Sequence, residues 1–232
     1  MTTAVATNGK SKTQKGEAGI SFDPAIIVNP TPLQIPEIRK RTALIRIAGV
    51  TPLITNKWSE KAIKQMRDAQ TKAAKTAKGA KDAAADTEAA TYYLISGCGV
   101  GFPAIGFKKA MVDAAVALGS YKTVVRRAFH IITEEFSDAG MMLVPIQFQS
   151  KGMREDLVRV GMGKADLRYR PEFRDWHADV PFLYDSNQIS LAQIVSLLKQ
   201  AGFSTGIGEW RPEKDGISGM FDVAEILEDS VA

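Results

Sequence analysis

The stretch GFSTGIGEWRPEKDGISGMFDV, residues 202–223, sets Gly206, Gly208, Gly216 and Gly219 around Trp210, Arg211 and Lys214. Glycines let a backbone approach a ligand, and consecutive N–H groups can form an anion-binding nest. Open backbone, a stacking face and two cations together suit a phosphodiester chain. A turn that only reverses the chain fits the same letters. A second basic set lies in LRYRPEFRDW, where Arg168, Arg170 and Arg174 interleave with Tyr169, Phe173 and Trp176. On a strand the arginines share one face, as phosphate contacts would, and Tyr169 and Phe173 share the other. Core aromatics beside a solvated arginine face account for that spacing equally well.

Catalytic patterns are scarce. His130 and His177 are the two histidines of the chain. Asp175, His177 and Asp179 alternate in DWHAD, so a strand would put all three on one face, where they could hold a divalent ion for a nuclease. An exposed polar strand is the favoured reading of so short a match. Cys98 sits in SGCGVG with no histidine linked to it in sequence, which reads as a small half-buried thiol. GCGVGF lacks the lysine and Ser/Thr of a phosphate loop, and HExxH, GxSxG and paired CxxC are absent. Neither an enzyme nor a metal or cofactor is expected.

The 232 residues are 45% hydrophobic and 24% charged, with a formal charge of +4, a mild bias towards polyanions. One cysteine excludes a disulfide within the chain and points to a reducing cytoplasm. The first residues hold no apolar leader and no later run reaches membrane-spanning length, so neither secretion by signal peptide nor a membrane partner is expected.

Residues 1–20 read as a disordered polar tail, and 21–232 as one α+β domain. FDPAIIVNPTPLQIPEIRKR holds four prolines and reads as extended. TALIRIAGV, residues 42–50, is the first clear strand. Residues 59–90 read as a helical insertion with Ser59 as its cap. Between Lys57 and Lys81 seven lysines and one arginine face two acids, as in a projecting basic arm or a solvated Ala-Lys helix. Phe107, Met111, Ala114, Ala115 and Leu118 recur at helical spacing before Gly119, with Lys108 and Lys109 near the first turn. Arg126 and Arg127 follow in a short element. HIITEE, MMLVPIQFQ, LVRV and LRYRPEFRDWHADVPFLYD read as strands, with Asp138-Ala139-Gly140 as a turn and Gly161 and Gly163 between the last two. SLAQIVSLLKQAG is a helix with Ser190 and Gln193 as a capping box and Gly202 as its C′ residue, followed by the glycine loop and a last strand. Helices on one face of an antiparallel sheet form an α+β sandwich, most often the ferredoxin-like form.

GFPAIGFKKAMVDAA, residues 101–115, resembles the segment that opens the first helix of the RAMP proteins, the Cas7-like RNA-binding subunits of CRISPR effector complexes. GIGEWRPEKDGISGMFDV, residues 206–223, resembles their glycine-rich loop running into a strand. The sequence is also similar to uncharacterised tailed-phage proteins. The resemblance implies an RRM-like, ferredoxin-like domain with insertions, in the host cytoplasm if phage-encoded. It implies RNA-backbone contacts from Lys108, Lys109, Gly206, Gly208, Trp210, Arg211, Gly216 and Gly219. It also implies side-by-side homo-oligomers along the strand. After the first strand, GVTPLITNKWSEK lacks the glycine-rich turn and aspartate of RNA-cleaving members, which implies binding without cutting. The expectation is thus a non-catalytic protein for single-stranded RNA or DNA, with Arg126, Arg127, Arg168, Arg170 and Lys214 as further contacts. A phage single-stranded-DNA annealing protein, or an assembly protein without nucleic acid, are the alternatives.

Overall fold

A computed structural model describes residues 35–58, 60–71, 81–97, 99–159 and 165–231. The expected tail, the Ser59 cap, Cys98, Gly161 and Gly163 lie outside these. The chain divides at Glu37/Ile38, and Ile38–Ala232 forms one compact unit. Its elements are β1 (Lys40–Gly49), β2 (Leu53–Ile54), α1 (Glu60–Gln70), α2 (Ala83–Ala89), β3 (Val100–Pro103), α3 (Ala104–Ala117) and α4 (Lys122–Ala128). There follow β4 (Phe129–Ile131), β5 (Leu143–Ile146), β6 (Ser150–Arg159), β7 (Ala165–Arg174), β8 (His177–Asp185), α5 (Leu191–Ser204), a single 3₁₀ turn (Pro212–Lys214) and β9 (Phe221–Val231). The fold is α+β, as the alternation of periods indicated.

The main sheet runs β4-β8-β1-β9, with every neighbour antiparallel. Alternation in β1 turns Ala43, Ile45 and Ile47 inward, and in β8 Ala178, Val180, Phe182 and Tyr184. They meet Phe107, Met111 and Ala114 of α3 and Ile194, Leu198 and Ala201 of α5 in one apolar cluster. Each large side chain buried there contributes about 1.5–3 kcal/mol.

Helix ends follow local chemistry. In α5 the Ser190–Gln193 capping box is present. In α3, Ser120 N–H donates to Ala115 O and Gly119 N–H to Val116 O, a Schellman stop at the expected glycine. Gly202 departs from expectation, since α5 runs on to Ser204. A Cβ at Gly202 would stand 1.9 Å from Phe221 O, so this glycine lets β9 cross against the helix. The arginine-aromatic segment is likewise two strands. Asp175, with φ +50, breaks it between β7 and β8, and Trp176 turns inward to donate from Nε1 to Thr51 O. Asp175 thus precedes the strand it was expected to share with His177 and Asp179.

Outside the main sheet, β6 and β7 pair over ten residues as a long hairpin, with β2 against the β7 end nearest the core. Within the 59–90 insertion, α2 is capped by Asp82, packs on β7 and buries Thr87. The lysine-rich residues 72–80 lie outside the described residues.

Candidate nucleic-acid interface

The loop after α5 is built backbone against backbone. Ile207 N–H donates to Gly219 O, Ser218 N–H to Trp210 O, Glu209 N–H to Ile54 O and Gly219 N–H to Pro52 O. A Cβ at Gly216 would lie 1.8 Å from Trp210 O, one at Gly219 1.8 Å from Ile207 O, and one at Gly208 2.3 Å from Ile54 O. The close approach that the glycines permit is therefore the chain's own. These N–H groups are spent on carbonyls of the loop itself and of residues 52–54, which leaves the loop's side chains to act outward.

Those side chains meet the start of α3. The loop and residues 102–110 wall a cleft of about 210 Å³, with Lys109, Arg211, Glu209, Glu213, Asn56 and Tyr92 supplying its polar groups. Two segments a hundred residues apart, both expected to contact nucleic acid, thus share one cavity. The cations in it are paired. Lys109 Nζ donates to Asp113 and lies 3.5 Å from Glu213, and the Asp113 bond leads in raising the lysine above its ordinary pKa. Arg211 grips Glu213 through Nε and Nη2 at 2.9 and 2.7 Å and donates from Nη1 to Gly208 O at 2.8 Å. Burial alone would raise the Glu213 pKa, but the Arg211 bond and charge hold it low. Trp210 has φ +53 and is partly exposed. Lys214 is exposed.

Lys108, one residue earlier and a third of a helical turn away, faces β4 instead. Its Nζ is 3.1 Å from His130 Nδ1 and 5.8 Å above the Phe129 ring. Burial and then the Arg126 charge depress its pKa, while burial and then Lys108 depress that of His130. Arg126 and Arg127 end α4, both exposed. Among the described residues no ion pair engages Lys108, Arg126 or Arg127. Between the two cation sets, the N-terminus of α3 has no side-chain cap and no acid in its first turn. Ala104 N–H is met by Met142 O.

Arg168 and Arg170 do not form a joint face for a ligand. Arg168 is exposed on the hairpin, 3.7 Å from Asp166. Arg170 is buried, bonded to Asp156 at 3.0 Å and 3.8 Å from Glu209, with Nε unpartnered. Burial would raise Asp156, yet hydrogen bonds led by those from Arg154 and Arg170 hold its pKa low. Asp179 is held bidentate by Arg46 at 2.7 and 2.8 Å. Among the described residues no cluster of His, Cys, Asp or Glu could hold a metal, and no helix is long and apolar enough to cross a membrane.

Glu209, Tyr92, Asn56 and His130 were not among the expected contacts. Glu209 carried a signal, as a carboxylate beside Trp-Arg in a loop read only for cations. Tyr92 and Asn56 carried none, because only the fold brings them here. No protein-family model matches this chain, and no curated protein matches it.

Proposed function

We propose that the protein binds single-stranded nucleic acid without cutting it, RNA in preference to DNA, in the cytoplasm. The observation that carries this reading is the start of α3. There an uncapped helix N-terminus lies between Lys108 on one side and Lys109 with the Arg211 loop on the other. Pro103 has no N–H and Ala104 N–H is taken by Met142 O, so the helix dipole and the later N–H groups of the first turn are what favour an anion there, and lysines on both sides extend the attraction along a backbone. The succession β1-α3-β4-β8-α5-β9 and its strand order support a ferredoxin-like, RRM-like relation to the RAMP proteins, and with it the preference for RNA. Fluorescence polarisation with a labelled RNA and the matching DNA, across a salt series, tests this. Binding that falls linearly in log-log form with salt is expected. Absence of binding to either strand at low salt sinks it.

One observation favours an assembly role. The sheet ends in β9 on one edge, carrying Asp222, Glu225, Glu228 and Asp229, and in β4 on the other, beside Lys122, Arg126 and Arg127. Opposite charge on opposite edges suits head-to-tail contact between copies. Light scattering on nuclease-treated protein decides this, since oligomers that persist there and dissociate in salt belong to the assembly reading.

A further inference from the structure

We infer that the cleft between α3 and the glycine loop is a pocket for one nucleobase, guanine, with the Glu209 carboxylate accepting from its pairing edge. This rests on the nucleic-acid reading above and adds a sequence preference to it. The cavity of about 210 Å³ lies below the roughly 300–1,000 Å³ of sites for drug-sized ligands, so it takes a single ring system and little more. Phe102, Pro103 and Ile105 give it apolar walls beside the polar groups.

Glu209 is fixed and incompletely satisfied. Its N–H is bonded to Ile54 O at 2.9 Å. Gly208 before it is pressed onto the same carbonyl, and Trp210 after it is held in left-handed backbone with its carbonyl accepting from Ser218 N–H. One carboxylate oxygen accepts from Asn56 Nδ2 at 3.2 Å, and the other has its cation, Arg170 Nη2, at 3.8 Å, beyond hydrogen-bond length. A carboxylate offers about four lone-pair sites, so most of its capacity is left for a ligand. The neighbouring acid of the cleft differs, since Glu213 is closed by Arg211.

The ligand must bring donors to Glu209, in a cleft whose own cations are already paired with Asp113 and Glu213. A cationic peptide side chain would crowd Arg170 Nη2, which lies 3.8 Å from the same carboxylate, whereas a neutral base edge brings its donors without a second charge. Guanine presents N1–H and the 2-amino group side by side, matching the two oxygens of a carboxylate. Uracil presents one N–H between two carbonyls that face the carboxylate unfavourably. Tyr92, whose pKa burial and then Glu209 raise, stays a neutral phenol able to donate to a base carbonyl.

The test is competition against a labelled RNA by two unlabelled strands, all-uridine and all-uridine with one central guanosine. The guanosine strand is expected to compete about tenfold better. In Glu209→Gln that advantage disappears while affinity for the all-uridine strand changes little. Replacing the guanosine by inosine, which lacks the 2-amino group, removes most of the advantage with the native protein, so the test does not depend on the variant folding. Equal competition by both strands overturns the pocket and leaves nucleic-acid binding intact. No binding by any strand overturns both.

Discussion

On one side of α3, Lys109 stands between Asp113 and Glu213, and Arg211 beyond it is locked to the same glutamate. On the other side, Lys108 has a neutral imidazole for a neighbour and Arg126 close enough to depress its pKa. One region is rigid and internally neutralised, the other uncompensated. Neutralised groups hold a shape and can specify what enters it. Uncompensated cations attract any phosphate and specify little. A binder needs both, and the division suggests a base read in the cleft and a backbone held along the α4 side.

The largest effects should come from breaking the rigid side. Asp156 is buried and accepts from both Arg154 and Arg170. Asp156→Asn leaves buried Arg170 with only the Glu209 carboxylate, 3.8 Å away, at a cost of about 3 kcal/mol. Urea unfolding measures it, and a loss under about 1 kcal/mol would mean that the pair is dispensable to the hairpin.

Next in size is a pair of glycine substitutions. Gly219 has φ +68 and its Cβ would strike Ile207 O, whereas Gly119, leading into α4, has φ +85 with open space around it. Gly219→Ala should cost about 3 kcal/mol, combining overpacking with left-handed strain, and Gly119→Ala about 1 kcal/mol from strain alone. Equal midpoint shifts in the two melts would refute the account of the loop as backbone packed on backbone.

Binding variants probe the exposed side. Arg126→Ala with Arg127→Ala should leave the melting temperature within about 2 °C while lowering the salt slope for a single strand by about 1.4, two lost phosphate contacts. Arg211→Ala should do the reverse. It loosens the loop by losing the Gly208 O bond and frees Glu213, so stability falls while the slope changes by less than about one contact. An unchanged slope in the first variant would remove α4 from the backbone path.

What the sequence disclosed follows the range of each interaction. The Ser190 box and the Gly119 stop depend on residues three to five apart, and both were readable. Gly202 was misassigned because the partner that demands a glycine, Phe221, is nineteen residues on. Arg170 looked like one of a solvated row until the hairpin register set Arg154 opposite it and brought Asp156 to it on the diagonal. Lys108 and Lys109 read as one basic pair, yet about 100° of helical rotation sends them to different neighbours. In the cleft the glycines and cations were visible, but Glu209 gains its meaning from Asn56 and Arg170, which no local pattern attaches to it.

The smallest expected effect separates the two sides by pH. Burial, then the Lys108 ammonium, hold the His130 imidazole below its ordinary value, which lies near 6.5. Below that value the unfolded chain takes a proton that the folded one resists. The stability tied to neutral His130 is therefore complete above about pH 6.5 and is lost as the pH falls from there through the folded value. A phosphate bound beside Lys108 and Arg126 turns the sign, because a nearby anion favours the imidazolium. Binding then takes up a proton, and affinity should strengthen from about pH 7.5 to about pH 6 even as the free protein weakens. His130→Gln should flatten both dependences without changing the guanosine preference at the cleft. Titrating affinity against pH in the two proteins measures this, and a native profile that stays flat would place the phosphate path away from the Lys108 side.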